Sequence, residues 1–228
     1  MRFPLSLTLM LLAAVSLADD QAFVPLFPKD GPPAGWSVRR WDDVGKPADP
    51  GVLWQVRDGV LHGSEPRGTW LVSDREYSDF ILEFEWKLGE RGNSGCGLRF
   101  PLRGDPAFDG LELQMVDPRY YPADAQIPAN ELSGGLYRAV APKVQGYRPG
   151  EWNRYRITCR GGLIEVVLND ETILQTQLDD QREGVQRHDG SPASPLKDRP
   201  RQGRIGFQEL SRGGAHVEIR GARILELK

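Results

Sequence analysis

Residues 80–88 read FILEFEWKL, an unbroken alternation that sets Phe80, Leu82, Phe84, Trp86 and Leu88 on one side and Ile81, Glu83, Glu85 and Lys87 on the other. A period of two is the mark of a half-buried strand, since a helix would mix these two sets around its surface. A slip of one residue would bury Glu83 and Glu85, so the pattern also decides which face turns inward. Such a face needs a second layer to cover it. Shorter alternating runs at 23–27, 52–56, 60–62, 152–159, 163–168, 172–178, 204–210 and 215–227 supply the material. The 26 glycines and 18 prolines fall largely between them, and no apolar pattern at helical spacing runs beyond a turn or two. About a dozen short strands and two long loops predict an all-β fold, a two-sheet antiparallel jelly-roll sandwich. Parity places Leu82, Phe84, Trp86, Leu98, Leu111, Leu113, Ile157, Val167 and Ile205 in its core. No internal repeat or linker interrupts residues 19–228, which are read as one domain.

The densest chemistry lies in RGNSGCGLRFPLRGDPAFDGLELQMVD, residues 91–117. Leu111, Leu113 and Met115 take one parity, while Glu112 and Gln114 take the other. In the preceding run Cys96, Leu98 and Phe100 share the apolar face, leaving Arg99 among glycines opposite. A guanidinium and a carboxylate are thus expected on one sheet face, where cross-strand neighbours interact. Their plainer reading is a surface ion pair worth about 0 to 1 kcal/mol.

Charge excludes one class of partner: 29 basic and 32 acidic residues are well mixed, giving a net charge of -3 and no footprint for nucleic acid. The first eighteen residues, MRFPLSLTLMLLAAVSLA, carry Arg2, an apolar run and small residues before a cut near Asp19. This reads as a signal peptide, too short for the roughly 20 apolar residues of a membrane span. A secreted or periplasmic protein without membrane insertion is expected. In that oxidising setting Cys96 and Cys159 are either paired or two separate buried thiols, and the spacing does not decide between them. The loop from 118 to 151 scatters Tyr120, Tyr121, Tyr137 and Tyr147 among prolines and glycines, in the manner of side chains that stack on sugar rings. Asp105, Asp109 and Asp117 lie in loops, and their spacing gives no support to a divalent cation such as Ca²⁺; no cofactor is required by any motif.

Read together, the segments LFPKDGPPAGW, LWQVRDGVLHG, YSDFILEFEWKL, GNSGCGLR, GLELQMVD, SGGLY, RPGEWNRYRI, VVLND and RPRQGRIGFQ with VEIRGARILEL resemble the 3-keto-disaccharide hydrolase domain of secreted bacterial proteins. They run in the family's order over nearly the whole chain. The resemblance implies a concanavalin/laminin-G-like fold, an oligosaccharide or glycoside substrate, and a cleft on the concave sheet face. There Arg99, Glu112 and Gln114 are expected to line the cleft, with Asn93, Asp117, Tyr137 and Gln208 at its edges. One departure stands out: where the family carries Gln-Asp-His-Gly, Gln208 is followed here by Glu209 and Leu210. Whatever role that histidine has is absent or reassigned.

Two function classes follow. In the first, a ketone at C3 acidifies the proton on C2, so that Glu112 as base and Arg99 or a bound cation as stabiliser of the enolate oxygen expel the group on C1, and water adds afterwards. An ordinary glycosidase would instead pair Glu112 with Glu83 or Glu85 across the scissile bond, and ranks lower. In the second class the same cleft binds glycans without chemistry, as a lectin-like module. An adhesive role is a third, smaller option.

Overall fold

The computed structural model describes residues 22–228, and the segment read as a signal peptide lies outside them. The larger sheet takes strands in the order β11 (Glu171–Gln177), β10 (Leu163–Leu168), β9 (Asn153–Arg160), β6 (Phe80–Lys87), β15 (Glu218–Glu226), β4 (Val60–Glu65) and β3 (Leu53–Arg57), with β1 (Val24–Pro25) also paired to β15. The smaller sheet runs β2 (Trp36–Arg40), β5 (Thr69–Ser73), β14 (Arg204–Glu209), β7 (Asn93–Phe100) and β8 (Leu111–Val116). Every pairing is antiparallel, so the expected two-sheet sandwich is the fold that forms.

The alternation of β6 is what joins the layers. Phe80, Leu82, Phe84 and Trp86 are buried, and Ile81, Glu83, Glu85 and Lys87 only half so. Leu82 faces Ile157 and Phe84 faces Tyr155 on β9. The Tyr155 ring stacks 5.2 Å from Trp86 and meets Phe84 edge-on at 5.8 Å. From the opposite sheet Phe207 closes on Phe84 at 5.1 Å. Each such side chain contributes about 1.5–3 kcal/mol by leaving water.

Eight of the nine expected core residues are buried; Val167 is the exception, half-buried on the outer side of β10, with Ile164, Val166 and Leu168 facing in. Two adjacent valines give a strand no parity signal, and the pairing with β11 shifts register between them. Cys96 and Cys159 are both buried and unbridged.

A second departure bears on function. Gly97 pairs with Gly206 on β14, yet Phe100 pairs with Arg204, so β7 carries one residue more than its partner over this interval. The bulge sits at Arg99, whose φ is 51°. Parity inverts there: Phe100 swings to the outer face beside Trp70, 6.0 Å away, and Arg99 swings inward.

The two long segments dock at one end of the smaller sheet. Residues 133–137 lie along the free edge of β8, Gln114 N donating to Gly135 O at 2.9 Å and Tyr137 N to Glu112 O at 2.9 Å. This covers an edge that would otherwise expose unpaired backbone. Gly134 makes the turn at φ 92°, a conformation that a side chain disfavours. In the second segment a small hairpin, β12 (Val185–Gln186) with β13 (Pro192–Ala193), carries His188 at its turn.

Candidate active site

The outer face of β7, β8 and β14 holds the pocket. Gly95 and Gln114 are cross-strand partners, as are Gly97 and Glu112. Glycine at 95 is a matter of space, not of backbone freedom: a Cβ there would lie 2.0 Å from Glu112 Oε1. The strand is hollowed so that the glutamate can lie across it.

Glu112 is 3% exposed and its carboxylate has no hydrogen-bond partner among the described residues. Burial pushes that carboxyl well above the ordinary range, and the charge of Asp105 adds to the effect. Asp105 lines the same pocket. It caps the short helix α1 (Pro106–Asp109), accepting from Ala107 N at 3.0 Å, and Pro106 at the first helical position suits that role. Its carboxyl is pushed up to about 7, chiefly by burial and further by Asp109. Two carboxyls that resist ionisation in one pocket are a pattern of acid–base sites.

Around them stand Asn93, Gln114, Tyr137 and Gln208, with Trp41, Arg67, Tyr120, Tyr121, His188 and Leu210 toward the rim, enclosing about 580 Å³. That volume suits a small ligand. Asn93 Oδ1 is buried without a partner, a standing acceptor for a ligand hydroxyl. Gln114 Oε1 accepts from Met115 N at 2.9 Å, which fixes the amide. His188 meets Phe108, Tyr137 and Trp41 with ring centroids at 5.1, 5.9 and 6.1 Å. Burial against these rings, and next the charge of Arg138, hold its imidazole below the usual value, so it is neutral at pH 7. The hairpin carrying it is pinned by Arg187, which donates to both Asp109 oxygens at 2.7 and 3.1 Å.

Four expected site residues lie elsewhere. Arg99, turned inward by the bulge, is fully buried and donates to Ser78 O, Gly161 O and Asp79 Oδ1 at 2.6, 2.7 and 2.9 Å. It ties loops together and does not face Glu112. Asp117 is buried under Arg119 and the Tyr147 hydroxyl, and caps a single turn of 3-10 helix. Glu83 and Glu85 line a larger cavity of about 650 Å³ on the outer face of the other sheet. There Glu83 is held by Arg156 and Arg223, and Glu85 by Arg220 at 2.8 Å. Neutralised carboxylates on a wet face give that cavity little chemistry despite its size. A glycosidase pair of Glu112 with Glu83 or Glu85 is therefore ruled out by position.

Asp105 had a local signal in Asp-Pro before a short apolar turn, but its proximity to Glu112 had none. His188 sits in a polar, aperiodic stretch and was invisible. Of the loop tyrosines, Tyr120, Tyr121 and Tyr137 reach the pocket, whereas Tyr147 stacks on Trp86 at 5.3 Å. Leu210 stands where the resemblance calls for histidine, and it faces the pocket; Glu209 turns inward to accept from Ser211 N and Val217 N at 2.7 and 2.8 Å. Among the described residues no group of three or more His, Cys, Asp or Glu side chains is arranged to hold a metal ion, and no helix is long and apolar enough to cross a membrane.

Gly95→Ala tests the hollow directly. The new methyl meets the movable end of Glu112, so the expected result is a near-parental melting temperature with kcat lowered about 10²-fold by displacement of the carboxylate. Parental kcat would show that the carboxylate's position is not critical.

Comparison with known proteins gives a consistent picture. The model of the 3-keto-alpha-glucoside-1,2-lyase-like domain matches residues 22–225. A 3-keto-disaccharide hydrolase of Bacteroides thetaiotaomicron is 28% identical over 166 residues, which is 63% of this chain and 57% of that protein, so the match spans little more than half of its relative. Crystal structures of candidate glycosyl hydrolases from Parabacteroides distasonis superpose with TM-scores of 0.72 and 0.63 at 24% and 25% identity. The first covers 90% of this chain and 100% of its own, the second 85% and 89%.

Proposed function

The chain belongs to the 3-keto-alpha-glucoside-1,2-lyase-like domain family, and from that premise we propose that it cleaves the glycosidic bond of a sugar oxidised to a ketone at C3. Glu112 carries the reading: a buried carboxyl with no protein partner, standing in a sugar-sized pocket, is a group kept free for a substrate proton. In its ionised form Glu112 takes the proton from C2, the electron pair forms the C1–C2 double bond, and the group on C1 departs with its oxygen. Asp105, whose carboxyl is pushed up to about 7, supplies the proton that oxygen needs. Addition of water across the double bond then returns the free 3-keto sugar.

With Arg99 turned away, charge on the C3 oxygen falls to neutral donors in the pocket, the Tyr137 hydroxyl and the amides of Asn93 and Gln208. Burial, and next the charge of Glu112, hold the Tyr137 phenol protonated, as a donor must be. Trp41 and the rim tyrosines offer ring faces to the sugar. Export to the periplasm or beyond is part of the proposal, resting on residues 1–18.

The alternative, a lectin-like module, draws on Leu210 in the histidine's place. Incubation with a 3-keto-disaccharide and with its unoxidised parent separates the two. The expected result is consumption of the keto sugar alone, with a transient conjugated enone absorbing in the ultraviolet. Binding of both sugars with turnover of neither overturns the catalytic reading.

A further inference from the structure

Beyond Leu210 the chain keeps running beside β7: Leu210 N donates to Asn93 O at 2.9 Å and Arg212 N to Arg91 O at 3.1 Å. The strand pairing that places Gln208 opposite Gly95 therefore leads on to a pair of arginines, Arg91 and Arg212, in the turns just beyond the start of β7. The side chain of Arg212 crosses the Tyr120 ring, its Cζ 4.3 Å from the centroid. Arg67 approaches the same residue from the pocket, donating from Nη2 to Tyr120 Oη at 3.1 Å with its Cζ 5.9 Å from the ring.

Tyr120 and Tyr121 are shared walls. On one side lies the Glu112 pocket; on the other lies a second depression of about 610 Å³, lined by both tyrosines, Arg91 and Arg212. None of Arg67, Arg91 and Arg212 has a carboxylate partner among the described residues. An unpaired arginine on open surface is ordinary. Here, however, two guanidiniums are braced on one tyrosine in the wall of a pocket, with most of their N–H donors unused. The acids nearby are taken: Asp117 is bound by Arg119, and Glu90 lies 3.6 Å from that same arginine.

We propose that the active-site pocket continues past Tyr120 into a subsite for an anionic group, a carboxylate or a phosphate, on the leaving half of the substrate. Arg67 and Arg212 grip its oxygens, Arg91 adds positive charge, and Tyr120 sets the spacing. Forked donors suit planar carboxylates and phosphates alike. The inference deepens the reading of the Glu112 site as a glycoside-cleaving centre and specifies which glycosides it prefers.

Calorimetric binding of unoxidised probes tests it without requiring turnover. Maltobionate is compared with maltitol for the carboxylate, and trehalose 6-phosphate with trehalose for the phosphate. At least one anionic probe is expected to bind about tenfold or more tightly than its neutral partner, with the advantage shrinking as salt is added. In Arg67→Gln/Arg212→Gln the anionic-to-neutral ratio is expected to fall to near one. Whichever pair shows the larger ratio identifies the anion. Ratios near one for both pairs in the parent protein, no detectable binding of either anionic probe, or a ratio unchanged in the double variant overturns the subsite. A protein that turns over 3-keto sugars but shows no anionic preference loses only the subsite. One that prefers the anionic probes but leaves 3-keto sugars intact loses only the catalytic reading.

Discussion

Glu112→Gln is expected to lower kcat on a 3-keto-disaccharide by about 10²- to 10⁴-fold, with little change in KM and no loss of stability. The amide keeps the volume of the carboxylic acid and cannot take a proton. Stability should not suffer, because the native carboxyl makes no hydrogen bond to the described residues whose loss would cost anything. Burial already favours its uncharged form, which the amide imitates. Parental turnover with a normal melting temperature would remove Glu112 from the mechanism. The same burial shapes the pH profile. A base must be ionised to act, so kcat/KM should rise with pH through an apparent pKa well above that of an ordinary carboxylate. That limb should vanish from whatever activity the glutamine variant keeps. Glu112 feels the charge of Asp105, so the position of its limb also depends on the protonation of Asp105.

The placement of Glu112 illustrates what a sequence can reveal here. Alternation in β8 put it on the outer face opposite Leu111 and Leu113, and the observed register with β7 agrees. Parity holds as long as a ladder is regular, and it failed at the single inserted residue. Arg99 sits where β7 bulges, and nothing in CGLRF distinguishes a bulged strand from a straight one, because the extra residue is demanded by the pairing with β14. Val166-Val167 shows the milder form of the same problem, two apolar neighbours between which alternation cannot choose. Asp117 and the pair Glu83 and Glu85 failed for another reason. Alternation put Glu83 and Glu85 outward, as observed, but it shows neither which sheet they lie on nor which cations hold them, Arg156 and Arg223 for Glu83 and Arg119 for Asp117. His188 and Asp105 could not have been found by period at all. They reach the pocket on loops, through contacts such as Arg187 with Asp109 that span 78 residues.

Asp105→Asn should stabilise the protein at neutral pH while slowing it, and the sign follows from the titration. The unfolded chain's aspartate ionises near 3.8, the buried one at about 7. Below 3.8 both states hold the proton and the group is silent. As pH rises toward 7 the unfolded chain releases a proton that the native state retains, so stability present in acid is progressively lost. Above 7 both states are ionised and the loss is constant. The slope is about 1.4 kcal/mol per pH unit, which bounds the total near 4 kcal/mol. Asparagine caps a helix as well as aspartate does, so the bond to Ala107 N survives and the titration does not. Melting temperatures measured from pH 4 to pH 8 should therefore diverge, with the variant gaining on the parent up to about pH 7 and holding its lead beyond. Parallel curves would show that Asp105 is not the titrating group. If Asp105 also protonates the departing oxygen, the more stable variant is the slower enzyme, most visibly with poor leaving groups. A native protein that tolerates this buried acid is then trading stability for catalysis.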